Sequence, residues 1–264
     1  MTVESRRRLV DHLRKSAIAG DVATPREANL RSYRNFASDA VYPKFGLTSD
    51  RHWTPDDVLA VMVRRCGVDP DPRHLSGPDT IDPDLTLAQL DAAGASIGEI
   101  AAARGSVLLA TGHPSGLLQV HLELATALRR AGCRLLTPGS GLRHIERRRG
   151  EPEEREVRYV GDVAMVSDRG ALNHTHSARP MQGILELLDE SGQDLPDLVV
   201  ADHGWAGAAG EAGLSVVGFA DCNDPALFVG EEDGKVDVVV PLDDNVSPYL
   251  YLPVIEYLLE TAGI

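Results

Sequence analysis

The chain has 264 residues, 43% of them hydrophobic, and a formal net charge of −14. Its acidic surplus argues against nucleic acid and anionic membrane surfaces as partners, since phosphate contacts need basic patches. No apolar run reaches the length of a membrane-spanning helix, no apolar segment follows Arg6-Arg7-Arg8, and Cys66, Cys133 and Cys222 lack metal or disulfide spacing, so a cytoplasmic protein with reduced thiols is expected.

Residues 4–19 read as a charged helix. Residues 20–53 read as an irregular polar arm carrying Arg31, Tyr33, Arg34 and Asn35, then Tyr42-Pro43 and His52-Trp53. Thr54-Pro55 starts a helix that runs to about Cys66, by the rule of a cap followed by proline. Residues 67–84, rich in proline, read as a loop. Thr86 to about Arg104 is helical again. Residues 1–104 thus form a mainly helical segment or cap, and residues 105–264 an α/β body.

The body opens with Val107-Leu-Leu-Ala-Thr111, whose unbroken apolar run marks a buried strand. The turn Gly112-His113-Pro114-Ser115-Gly116 leads into a helix over 117–131, with Leu117, Val120, Leu124 and Leu128 on one stripe and Gly132 as its C-terminal cap. Residues 133–137 form the next strand. Residues 138–155, with Arg147-Arg148-Arg149 against Glu151, Glu153 and Glu154, read as a solvated loop or hairpin tip. Strands over 156–160 and 163–167 flank a Gly161-Asp162 turn. A helix follows over 179–189, with Ser177 as its cap, and another closes the chain over 248–262.

Three Val-rich runs organise the second half. They end in Asp202-His203-Gly204, Asp221-Cys222-Asn223-Asp224 and Asp243-Asp244-Asn245, with leading aspartates 19 and 22 positions apart. Such spacing implies parallel strands joined by crossovers, so the fold class is α/β, Rossmann-like, with a mainly parallel sheet and a helical N-terminal segment. The acidic clusters then meet at the carboxyl edge, where open α/β sheets bind ligands. Capping accounts for Asp224 before Pro225 and for Ser247 before Pro248, and Asp202 can be a cap itself. Asp221, Asn223, Asp243, Asp244 and Asn245 are left over. Converging carboxylates repel one another, and a hard divalent cation removes that cost. The candidate metal ligands are therefore Asp202, Asp221, Asn223, Asp243, Asp244 and Asn245.

The Gly112–Gly116 turn suits an anion at a helix start, through Gly112, His113, Ser115 and Gly116; the competing reading is a tight turn with Ser115 as cap. His174 and His176 alternate with Asn173, Thr175 and Ser177, so both rings face one side if the segment is extended, a spacing used for metals and for phosphate oxygens. His203 points away if its strand continues, and His121 reads as a structural residue of its helix. A Walker lysine, a GxGxxG spacing, a Cys-x5-Arg loop and an Arg-His-Gly are all absent. Asp82-Pro-Asp84-Leu-Thr86 has the form Asp-x-Asp-x-Thr, but no buried strand precedes it, and Asp84 reads as the start of a helix. Cys222 has no evident base beside it.

Through Gly112–Gly116, Asn173–Ser177 and the three acidic clusters, the chain resembles a family of actinobacterial phosphatases. It is more distantly similar to metal-dependent phosphatases that clear damaged phosphometabolites, α/β proteins with a helical cap and a carboxylate-bound metal at the strand ends. The resemblance implies hydrolysis of a small phosphomonoester. The expected arrangement is Mg²⁺ or Mn²⁺ on the acidic edge, His113 and the turn on phosphate oxygens, and His174 or His176, with Asp202, assisting catalysis. A non-catalytic module for a phosphosugar or nucleotide, and another sugar-phosphate enzyme on the same fold, are the alternatives. A homo-oligomer is possible with either.

Overall fold

The structure is a computed structural model and describes residues 3–38, 44–148 and 151–264; Tyr42, Pro43 and Arg149 lie outside them. Among the described residues a nine-stranded sheet runs β11-β10-β9-β3-β7-β6-β5, with β4 beside β3 and β8 beside β7. Strands β3 (Ser106–Ala110), β9 (Leu198–Asp202), β10 (Val216–Ala220) and β11 (Val238–Pro241) are parallel and completely buried. Their Val-rich runs suit strands covered on both faces. Phe219 stands opposite Asp202 and Ala220 opposite Pro241, so all three acidic clusters leave the sheet at one edge.

The sheet is mixed rather than purely parallel. β4 (Arg134–Leu135) and β7 (Val163–Asp168) both pair parallel with β3, but β5 (Arg143–Arg148), β6 (Glu151–Val160) and β8 (Ala171–Asn173) run antiparallel. Of the two readings of residues 138–155, a solvated loop or a hairpin tip, the structure shows the hairpin, formed by β5 and β6. The β3 pairing with β7 ends at Ala110–Ala164, and β7 runs on for four residues. β8 folds back on that overhang and returns the chain across the carboxyl edge, where Thr175 N–H donates to Gly112 O at 2.9 Å.

Helix α5 (Pro114–Ala131) buries Leu117, Val120, Leu124 and Leu128 as expected, each contributing about 1.5–3 kcal/mol of apolar burial. Gly132 ends it in the left-handed region at φ 94°. Gly116 in its first turn lies against the strand-end loop so closely that a Cβ would collide with the Asp244 carbonyl.

The N-terminal hundred residues depart most from expectation. Helix α1 (Val3–Lys15) ends early, and the polar arm contains β1 (Gly20–Pro25) and α2 (Arg26–Ala37). β1 pairs antiparallel with β2 (Pro78–Ile81), inside the stretch read as loop. Pairing across so many residues leaves no local pattern. In α2 the buried positions are Arg26, Asn29, Tyr33 and Phe36, which have helical spacing, but two of the four are polar and hide it from a hydrophobicity reading. Their polarity is satisfied internally: Arg26 pairs with Asp79 at 3.0 Å, and Asn29 donates to the same carboxylate at 2.8 Å. Helices α3 (Pro55–Arg65) and α4 (Pro83–Ala103) match the expected ones, α3 with a reciprocal Thr54–Asp57 capping box. Asp82, not Asp84, caps α4.

Candidate active site

The carboxyl edge gathers four imidazoles and five buried carboxylates. His113 precedes α5, His174 and His176 follow β8, and His203 follows β9. Their rings form one cluster: His113–His174 4.5 Å, His174–His176 4.7 Å, His176–His203 4.8 Å and His174–His203 5.0 Å between centroids. Phe45 covers it, 5.2 Å from His176 and 5.4 Å from His203. Thr175, between the two loop histidines, points the other way and donates to Glu146 at 2.9 Å, which fixes the alternation.

His203 was expected to face away. Strand β9 instead stops at Asp202, and His203 takes a left-handed backbone at φ 49°, which turns its ring back into the cluster. A non-glycine residue in that region costs on the order of 1 kcal/mol or more and persists only where its surroundings hold it. Helix α7 (His203–Glu211) lies so close to the His176–Ser177 backbone that a Cβ at Gly204 would clash with the Ser177 carbonyl. That close approach sets His176 over His203.

Ligand atoms of His174, His176 and His203 lie within 4.8 Å of one another, and so do those of His203, Asp224 and Asp244. His203 Nε2 is 3.4 Å from Asp224 Oδ2 and 3.5 Å from Asp244 Oδ2. Of the four aspartates expected as ligands, Asp244 falls in these groups. Asp202 has both oxygens engaged: Oδ1 by Gly112 N–H at 2.7 Å and His203 Nδ1 at 2.6 Å, Oδ2 by His121 Nε2 at 3.3 Å. Asp221 accepts from Thr24 Oγ1 at 2.7 Å and from Cys222 N–H at 2.6 Å. Asp243 accepts from Asn245 N–H at 2.9 Å and from Ala23 N–H at 3.4 Å. Asn223 is half-buried and Asn245 exposed. Asp221 and Asp243 are thus carboxylates already bonded to protein donors.

Asp224, assigned by its sequence to capping, makes no side-chain cap bond and reaches His203 instead. Asp202 and Ser247 make none either. His121 is part of the site's support, under Asp202. The glycine turn also differs from an open anion nest: Gly112 N–H is bound to Asp202, His113 N–H to Thr111 Oγ1, and Gly116 N–H to His113 O. The His113 ring, not these amides, is what the turn presents; Ser115 is exposed. Cys222 is sealed under α2, with Asn29 Nδ2 at 3.3 Å from its sulfur, and burial pushes its thiol pKa far up, which disfavours the thiolate form.

The electrostatics follow from burial and pairing. Burial opposes a charged His203 ring, but hydrogen bonds to Asp202 and Asp224 outweigh it and hold its pKa well above the ordinary value. Burial likewise works against an ionised Asp202, yet the bonds from His121 and His203 hold it well below the usual carboxylate range. Burial and the charge of His203 push His176 down to about 4, and His113 and His174 shift the same way for the same reasons. These shifts favour the neutral imidazole at neutral pH. Burial, then repulsion by Asp243, raises Asp221 to about 7. Burial also raises Asp244 far above its usual range. Among the described residues no lysine or arginine forms an ion pair with Asp202, Asp221, Asp224, Asp243 or Asp244. The Asp244 Oδ2 and His113 Nδ1 atoms are buried without a hydrogen-bond partner.

The buried histidine–aspartate cluster lies at the carboxyl edge of the sheet, the place where open α/β sheets bind ligands. A family model described as Phosphatase matches residues 4–264. A Streptomyces coelicolor protein named a phosphatase is 48% identical over 262 residues, covering 98% of this chain and 97% of its own. The chain belongs to this phosphatase family. No helix among the described residues is long and apolar enough to cross a membrane.

Proposed function

We propose that the protein is a divalent-metal-dependent phosphatase acting on a small phosphorylated metabolite. One observation carries this reading: two groups of donor atoms that share His203, His174–His176–His203 and His203–Asp224–Asp244, sit at the sheet edge, and among the described residues no lysine or arginine is paired to these carboxylates. The His203 ring offsets these buried carboxylates only in part: Asp244 stays above its usual range, and a cation would relieve that crowding. The orphaned Asp244 Oδ2 is the atom such an ion would satisfy. The donor set fits. Imidazoles with carboxylates suit Mn²⁺ and its transition-metal neighbours better than Mg²⁺, which favours all-oxygen shells.

His174, His176, His203, Asp224 and Asp244 would hold the ion, and His203 gives up its Nε2 proton when the site is loaded. An ion held by these residues would supply Lewis-acid polarisation of a phosphoryl oxygen and would lower the pKa of a water. His113, edge-on to His174, offers a ring N–H to the transferring group. Phe45 packs against His176 and His203 and would limit the movement of both rings.

The test is phosphate release from a panel of phosphomonoesters after EDTA treatment, then with Mn²⁺ or Mg²⁺ restored. Release that is lost with EDTA, restored better by Mn²⁺, and abolished in Asp224→Asn and His176→Gln is expected. Release that survives EDTA would overturn the metal reading.

A further inference from the structure

Asp202 is fully buried and ties its neighbour His203, at the start of α7, to the turn before α5 through Gly112 and to the body of α5 through His121, 90 and 81 positions away. A carboxylate has about four lone-pair directions. Three are taken by protein donors, and Asp202 is in neither group of converging ligand atoms. It touches His203 on the Nδ1 side, while the opposite nitrogen, Nε2, faces Asp224 and Asp244.

We infer that Asp202 is a positioning residue: it anchors His203 by Nδ1 so that Nε2 is presented to Asp224 and Asp244, and His121 braces its second oxygen. The left-handed backbone at His203 brings the two adjacent side chains together, which an extended strand would send to opposite faces. Without this anchor the His203 ring can turn about its side-chain torsions, and its donor atom leaves the cluster. Histidine ligands in general are oriented through their second ring nitrogen, and loss of that partner typically weakens metal binding about 10–100-fold. The inference rests on the proposed metal function for what Nε2 binds; the Asp202–His203 pair stands apart from it.

The test uses the full chain and two readouts. The first is titration with Mn²⁺ alone, followed by electron paramagnetic resonance, for the wild type, Asp202→Asn, His203→Gln and the double variant. Asp202→Asn should bind Mn²⁺ about 10–100-fold more weakly. It should cause no further loss in the His203→Gln background, since it acts through that ring. Wild-type affinity in Asp202→Asn, or a full additional loss in the double variant as for a direct ligand, would overturn the inference. The second readout is the downfield Nδ1–H proton resonance of His203 in the metal-free protein. It should be present in the wild type, lost in His203→Gln and moved upfield in Asp202→Asn. A wild type that binds no Mn²⁺ but shows this pattern would sink the metal function and keep the pair. Absence of the resonance from the wild type sinks the pair, even if Asp202→Asn does not fold.

Discussion

The hydroxyl of Thr24 donates to the Asp221 carboxylate at 2.7 Å, linking residues 197 positions apart. Through this bond the β1–β2 ribbon touches the edge of the main sheet, and Asp243 N–H donates to Ile18 O close by at 2.8 Å. The N-terminal segment is therefore one wall of the site. Thr24→Val should lower stability by about 1–2 kcal/mol through a carboxylate short of a donor, and should lower turnover. Thr24→Ser should restore both. Urea unfolding and steady-state kinetics check this.

Asp221 carries a pH signature. Its carboxyl is raised to about 7 by burial and by Asp243, against an ordinary value of 3.8. The unfolded chain releases this proton first as pH rises. The stability the group contributes is complete below its unfolded value and is lost as pH climbs towards 7. Asp221→Asn should therefore stabilise the metal-free protein at pH 7 to 8, by on the order of 1 kcal/mol, and have little effect near pH 4. Thermal melts across that range decide the matter; equal shifts at both ends would contradict it.

Gly116 gives a test of close packing. Gly116→Ala places a methyl group against the Asp244 carbonyl and near His113 Nδ1, 2.9 Å from the added carbon. Overpacking of this kind costs about 1–3 kcal/mol. The displaced Asp244 should weaken Mn²⁺ binding while circular dichroism stays native-like. Unchanged metal affinity would show that the loop moves without consequence.

Asp79 holds the N-terminal wall upright. It accepts from Arg26, Asn29, Asp69 N–H and Thr80 N–H, so all of its acceptor directions are used. Asp79→Ala leaves Arg26 buried and unpaired and should cost about 3–5 kcal/mol. The double change Arg26→Met with Asp79→Leu should cost clearly less. Denaturant midpoints for the two variants provide the comparison.

How much of this was legible follows from where each signal lies. Helix α5 and strands β9 to β11 announce themselves through long apolar runs, and their acidic ends were legible as one edge. The β1–β2 ribbon was not, because its pairing is wholly non-local. Asp224 was hidden by the proline after it, which offered capping as a sufficient explanation. His203 was hidden by strand alternation, which fails at a left-handed residue. His121 looked like any polar residue on an apolar stripe; only the approach of Asp202 gives it a partner. The two loop histidines were legible as a same-side pair, and the fold adds what they face.

The convergence of His113, His174, Asp202, Asp224 and Asp244 on one edge has a kinetic consequence. No two neighbouring elements carry enough of these groups to make a site. Long-range pairings of this kind form late, since loop closure must be overcome first. The cluster is thus a reporter of completed folding: a chain with β9, β10 or β11 unpaired has its histidines and aspartates scattered, and any ion it meets finds at most a local pair such as His174 and His176. Refolding followed by Mn²⁺ uptake should lag behind the recovery of helix signal, with the interval marking the closure of the sheet.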